Sequence, residues 1–156
     1  MKNPLTRNFV ACIFLSLTFA GAGQARDYRT APVEDEESAD FAAGRQAVAS
    51  KNWAEAARNF KKVVAVSPDN ADAYNLLGYS SRWLGKYDEA FAAYDKALAL
   101  NPEHKGALEY SGVAYLKIGQ KAKAQAQLTK LKAICATCEE TTALAKAIAD
   151  FKPAAK

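Results

Sequence analysis

A chain of 156 residues, 50% hydrophobic and 24% charged, carries enough apolar material for one folded domain with a real core. Its net charge of +4 is too small to point to nucleic acid or a membrane surface as a partner. One histidine, three cysteines and the lack of any Ser/His/Asp set, phosphate-cradling glycine loop or ligand-spaced carboxylates argue against an enzyme, a metal centre or a bound cofactor.

The first segment has the layout of a secretory signal peptide. Lys2 and Arg7 give a positive start, residues 9–20 form an apolar or hydroxyl run, and Gly23-Gln24-Ala25 supplies small residues before a cut. The run is too short to span a bilayer well, so cleavage after residue 25 and a periplasmic location are expected, with an uncleaved anchor as the alternative. Cys12 lies inside the run and would leave with it. Losing Lys2 and Arg7 lowers the net charge from +4 to +2 and leaves 131 of the 156 residues. Residues 26–37 read as a flexible acidic leader, with Glu34, Asp35, Glu36 and Glu37 ahead of the first helix, where acidic side chains suit the helix dipole.

Apolar residues three and four apart then predict helices rather than strands. The spacing predicts helices over 38–50 and 53–66, joined at Lys51-Asn52 and closed by Ser67-Pro68-Asp69-Asn70, which also supplies a cap for the next helix. A third helix from residue 71 carries Tyr74, Leu77, Gly78 and Trp83 and stops at Gly85. A fourth over 88–100 places Ala90, Tyr94, Ala97 and Leu98 on one face and ends at Asn101-Pro102. Helices over 105–118 and 121–134, separated by Gly119-Gln120, make a third pair. A seventh over 139–151 sets Leu144, Ala147, Ile148 and Phe151 on one face, leaving Lys146 and Asp150 off it.

One pattern recurs every 34 residues, over 37–70, 71–104 and 105–138. Gly44, Gly78 and Gly112 align, as do Ala56, Ala90 and Ala124, the large residues Phe60, Tyr94 and Leu128, and the terminators Pro68, Pro102 and Ala136. At these residues the sequence resembles the tetratricopeptide repeat (TPR) family. The middle copy departs at Ser81, where the family has Tyr; Asp40 stands where Trp is usual, and Ala136 replaces a Pro. The resemblance covers 102 of 156 residues. It implies an all-α, right-handed solenoid of three helix-turn-helix repeats over 38–152, closed by a capping helix at 139–151 that covers the open end of the third repeat. Small Gly78 and Ala90 are expected to face each other where the helices of the middle hairpin cross, with Tyr74 and Tyr94 filling the wider ends.

Cys135 and Cys138 carry the remaining chemistry. A c-type haem site needs His after the second cysteine and Glu139 stands there; zinc needs two further ligands; a thioredoxin-like pair needs its first cysteine at a helix start. Residues three apart across a helix end have Cα atoms about 5 Å apart, inside the disulfide range, so a structural bridge is expected where the other repeats use Pro. A redox-active pair remains the second reading, and self-association into a structural assembly a third.

The resemblance also implies a concave groove, lined by the first helix of each hairpin, that takes a peptide or a partner's helix. Transfer of the family's groove positions gives Phe41, Arg45 and Val48 from the first repeat, Asp72, Asn75, Tyr79, Arg82 and Trp83 from the second, and Glu109, Val113, Leu116 and Lys117 from the third. The family's carboxylate-binding arrangement is not reproduced, because Phe41, Leu76, Gly106 and Tyr110 occupy those positions. Tyr79, Arg82 and Trp83 instead suggest an aromatic and cationic patch for an extended segment. The expected function is a protein-interaction module, an adaptor or assembly factor in the bacterial periplasm, with a protein or peptide partner and no nucleic acid.

Overall fold

Seven α-helices and no strand make up the described residues, 38–153 of a computed structural model; the expected signal peptide and leader lie outside them. The helices are α1 (Ala39–Ala49), α2 (Trp53–Val66), α3 (Ala71–Trp83), α4 (Tyr87–Leu100), α5 (Lys105–Lys117), α6 (Lys121–Ile134) and α7 (Glu139–Asp150). The second helices of the three hairpins begin at Trp53, Tyr87 and Lys121, so the 34-residue period of the sequence is the period of the structure. The sequence placed the start of α4 one residue late, at 88.

Local chemistry sets these ends. Ser38, Asn52, Asn70 and His104 each accept a main-chain N–H three residues on, satisfying a donor that a helix start leaves orphaned. Inside the hairpins the chain turns at Lys51, Gly85 and Gly119, with φ of 58°, 75° and 77°. These three are again 34 apart. At each, the next residue's N–H reaches back five residues to a carbonyl: Asn52 to Ala47, Lys86 to Ser81, Gln120 to Tyr115. This Schellman-type closure needs a left-handed residue, which Gly supplies without a clash and Lys51 does not.

The helices pack through small-to-large contacts. A Cβ on Gly44 would lie 2.7 Å from the Phe60 ring, and one on Gly78 would lie 2.6 Å from Tyr94, so each glycine is the flat bed for a fully buried ring. Ala90 is fully buried, and it is the Tyr94 ring that lies nearest to Gly78. In the third repeat the partner changes. Gly112 receives Leu144 of α7, at 2.6 Å, instead of Leu128 of α6. A leucine is shorter than a ring, and the capping helix fills what it leaves.

Helix α7 packs on both α5 and α6 and buries Leu144 and Ile148 against Leu108, Leu116 and Leu131. Its Lys146 and Asp150 pair with each other at 2.6 Å on the solvent side. Directly packed on one another are α3 and α5, then α5 and α7, whereas α2, α4 and α6 make no comparable contact among themselves. Helices α3, α5 and α7 are thus closely spaced along one side of the stack. No described helix is long and apolar enough to cross a membrane.

Candidate functional site

The side shared by α3, α5 and α7 presents its most unusual chemistry on α3. Asn75, Tyr79 and Arg82 follow at i, i+4 and i+7, so they share one stripe of that helix. Tyr79 packs across to α5, its ring centroid 4.7 Å from that of Tyr110, and edge-on to Trp53 at 5.8 Å. Trp83, the last residue of α3, lies parallel to Trp53, the first residue of α2, with centroids 5.1 Å apart. Trp83 remains 50% exposed. The result is an aromatic shelf at the turn edge of the groove, open on one face.

Arg82 is the concealed part of this shelf. Its guanidinium carbon is 5.1 Å from the Tyr79 ring centroid and 5.0 Å from that of Trp83, a cation beside two π systems. The residue is only 9% exposed, and its Nε has no hydrogen-bond partner among the described residues. Of the two expected groove residues Arg82 and Trp83, only Trp83 is exposed to solvent. Arg82 supports the shelf from beneath, with the Tyr79 and Trp83 rings both lying over it. Asn75 is buried as well, and its Oδ1 is also without a partner.

The α5 side of the same face is acidic. Burial, with Glu140 and then Glu139 nearby, pushes the Glu109 carboxyl up to about 7, and Arg82 opposes that rise. Glu139 and Glu140 open α7, where the helix dipole favours them. Burial raises the Tyr110 phenol too, with Glu109 adding to it. None of the three glutamates makes an ion pair among the described residues.

The remaining expected site residues are more dispersed. Phe41 packs edge-on to Phe60 at 5.5 Å and belongs to the core of the first hairpin. Arg45 is exposed on α1. Leu116 is a core residue, 7% exposed, so its part in a partner surface is corrected to a supporting one. With exposed Lys117 it borders a cleft of about 790 Å³ between the ends of α5 and α7, where Val113, Ala147 and Phe151 supply the apolar walls. Asp72 is exposed and accepts from His104 Nε2 at 2.9 Å. His104 Nδ1 accepts the Ala107 N–H, which assigns the proton of the neutral ring to Nε2. The sole histidine thus tethers α5 to α3. Residues the sequence reading missed are Trp53 and Tyr110, whose contacts with Tyr79 and Trp83 depend on how the hairpins stack.

Cys135 and Cys138 are bonded, with Cα atoms 5.6 Å apart. Cys135 caps the end of α6 and Cys138 the start of α7. Thr141 Oγ1 donates to Cys135 O at 2.7 Å and closes the same turn a second way. No group of three or more His, Cys, Asp or Glu side chains that could hold a metal ion occurs among the described residues.

Helix hairpins of a fixed period, small-to-large packing at each glycine, a capping helix and a row of aromatic and polar side chains define an all-α repeat solenoid. Two tetratricopeptide repeat models match the chain, over residues 41–102 and 84–153, so the chain belongs to the tetratricopeptide repeat family. It is 31% identical over 77 residues to Tetratricopeptide repeat protein 37 of Xenopus laevis, a match that covers 49% of this chain and 5% of that protein. Among solved structures, the TPR domain of Arabidopsis OM64 superposes with a TM-score of 0.66 at 16% identity, covering 70% of this chain and 91% of that one. The TPR2B domain of yeast Sti1, in complex with pHsp70, gives a TM-score of 0.66 at 17% identity, covering 70% and 90%.

Proposed function

We propose that the protein is a non-enzymatic protein-interaction module, an adaptor or assembly factor of the bacterial periplasm, that takes an extended segment or a helix of a partner on the face formed by α1, α3 and α5. One observation carries the reading: a half-exposed Trp83, stacked on Trp53 and underlain by the Arg82 guanidinium. A large aromatic held rigid with one face in water costs little entropy to bind with, and Trp, Tyr and Arg dominate interface hot spots. The Sti1 domain of the same fold, in complex with pHsp70, supports the use of such a scaffold for partner capture.

Export rests on residues 1–25 alone. It predicts a mature chain starting at Arg26, and the intact mass of protein from a periplasmic fraction tests it; a full-length membrane-retained species would overturn it. A crosslinking pull-down from the cell envelope, run beside a Trp83→Ala variant, tests the function. Partners retained equally by both proteins would defeat the groove reading.

The redox alternative has one feature in its favour. Cys138 sits at the start of α7, where the positive end of the dipole would stabilise a thiolate once the bond opened. Catalysed oxidation of a reduced test protein, lost in Cys138→Ser, would establish it.

A further inference from the structure

Where the second and third hairpins meet, Phe91 of α4 stacks on Tyr115 of α5 with ring centroids 4.4 Å apart. One period earlier, where the first and second hairpins meet, the same two positions hold Ala57 and Ser81, 7% and 0% exposed. Two rings give way to a methyl and a hydroxymethyl group. Ser81 lines a cleft of about 300 Å³ between α2, α3 and α4. Tyr74, Leu77 and Ser81, one stripe of α3, form one wall, and Ala92 and Ala93 of α4 form another. Lys61 of α2 and Glu89 of α4 are exposed and bonded to each other at 3.1 Å, so they stand at its outer edge. A surface pair of this kind holds weakly, and the edge opens at small cost.

Ser81 also differs from the other buried serines of the described residues. Ser80 Oγ donates to Leu76 O at 2.8 Å and Ser111 Oγ to Leu108 O at 3.2 Å, the usual recourse of a hydroxyl sealed in a helix. Ser81 Oγ is fully buried and has no partner among the described residues. A hydroxyl left in that state is destabilising, and this one belongs to a side chain on the wall of a cleft.

We propose that this cleft binds a small neutral aromatic alcohol, phenol in its simplest form, with its hydroxyl on Ser81 Oγ and its ring against Tyr74, Leu77 and Ala93. The site uses a different stripe of α3 from Asn75, Tyr79 and Arg82, so it stands apart from the groove. Volume selects a single ring, because about 300 Å³ is the small end of the range for ligand sites. Polarity selects the substituent. The walls are apolar beside one hydroxyl, and an alcohol can both donate to it and accept from it. Charge excludes ions: Glu89 is already held by Lys61 and Lys86, each at 3.1 Å, and the floor offers an anion only a hydroxyl. One period on, the chain supplies the phenol itself, as Tyr115 on Phe91.

The test titrates the purified protein with phenol and with toluene, its counterpart without the oxygen. Binding is read from the methyl resonances of Leu77, Ala92 and Ala93 and from the melting temperature. Phenol should shift those resonances saturably, with a dissociation constant of about 1 mM, and raise the melting temperature. Ser81→Ala should weaken phenol about fivefold and leave toluene unchanged, with stability equal or higher because an unsatisfied hydroxyl is gone. Ser81→Tyr should fill the cleft and abolish binding of both. If tyrosine prevents folding there, Ser81→Ala still decides, since it removes a single oxygen. No saturable shift up to about 10 mM phenol would overturn the site. Phenol bound as tightly by Ser81→Ala, or still bound by a folded Ser81→Tyr, would overturn it as well. So would shifts confined to Trp53 and Trp83, which would put phenol on the aromatic shelf instead.

Discussion

The Trp83 indole lies over the Trp53 indole with the planes 9° apart, joining the end of α3 to the start of α2 across the first inter-repeat boundary. The pair does not recur in the array, because the position after one period from Trp53 is Tyr87 and that from Trp83 is Lys117. It is a feature of this junction rather than of the repeat. Half of the Trp83 surface is wet, so its truncation loses little burial and one stacking contact worth about 1 kcal/mol. Trp83→Ala should therefore lower stability by about 1 kcal/mol while partner capture falls by at least about 2 kcal/mol. Arg82→Ala should behave differently and cost stability as well, since it removes a buried guanidinium from beneath two rings. Urea unfolding and pull-down on the two variants check both statements, and a Trp83 variant that captures normally would move the site elsewhere.

Gly78→Ala puts a methyl 2.6 Å from a Tyr94 ring that is fully buried and has nowhere to retreat. Overpacking of this kind should cost about 1–3 kcal/mol, read as a lower urea midpoint with an unchanged slope. Gly112→Ala meets the end of a leucine side chain instead, at 2.6 Å, and a leucine shifts more readily than a ring. Its cost should be the smaller of the two.

Lys51 holds φ of 58° at the position that Gly85 and Gly119 occupy in the other hairpins. A Cβ in the left-handed region is strained by roughly 1 kcal/mol, which glycine avoids. Lys51→Gly should stabilise the protein by several tenths of a kcal/mol, after the greater freedom of glycine in the unfolded chain is offset. Thermal unfolding decides it; a loss of stability would mean that the Lys51 side chain contributes more than its backbone costs.

The regular part of the fold was legible in the sequence because each element repeats its instructions. The cap at Asn70 and the apolar face of α7 act within a turn or two of chain, and the 34-residue spacing repeats them. What was missed depends on residues far apart in sequence. Spacing placed Tyr94 at a wider end of the gap, whereas its ring lies directly on Gly78. The exchange of Leu128 for Leu144 at Gly112 follows from a helix outside the repeat. Ser81, noted as a departure from the family, is buried with an unpartnered Oγ beside a cleft of about 300 Å³ under the Lys61–Glu89 ion pair. Tyr79 and Trp83 were named from their position in the repeat, but the burial of Arg82 beneath them comes from Trp83 and Tyr79 folding over it. No one-dimensional pattern records that.

Glu109 makes stability depend on pH in a direction opposite to that of a salt-bridged carboxylate. Its folded pKa lies near 7, above the value of an unfolded glutamate, so between roughly pH 4.5 and 7 the folded state holds more protons than the unfolded one. Stability from this group is present at low pH and is lost as pH rises through that window. The side chain is half-solvated, which holds the effect to the order of 1 kcal/mol, below what the full shift would imply. Glu109→Gln should flatten the profile and leave the variant the more stable protein at about pH 8. Unfolding midpoints for both proteins at about pH 5 and pH 8 supply the comparison, and parallel profiles would show that Glu109 is not strained in the folded state.

The Cys135–Cys138 bond joins the end of α6 to the start of α7, so its loss should be felt first at the cap. A loop this short contributes at most about 2 kcal/mol through chain entropy. Thr141 Oγ1 still holds the Cys135 carbonyl after reduction, and Leu144 and Ile148 stay buried, so α7 should loosen rather than detach. Coupling in a stacked array runs between neighbours, and α7 contacts only the third hairpin. Reduction should therefore speed amide exchange in α7 and the adjoining face of α5, lower the melting temperature by a few degrees, and leave α1 to α4 protected. The purified mature chain should carry no free thiol before reductant is added. Loss of protection across all seven helices at once would show that the bridge sustains the whole stack, and would make the array a single cooperative unit rather than a chain of neighbours.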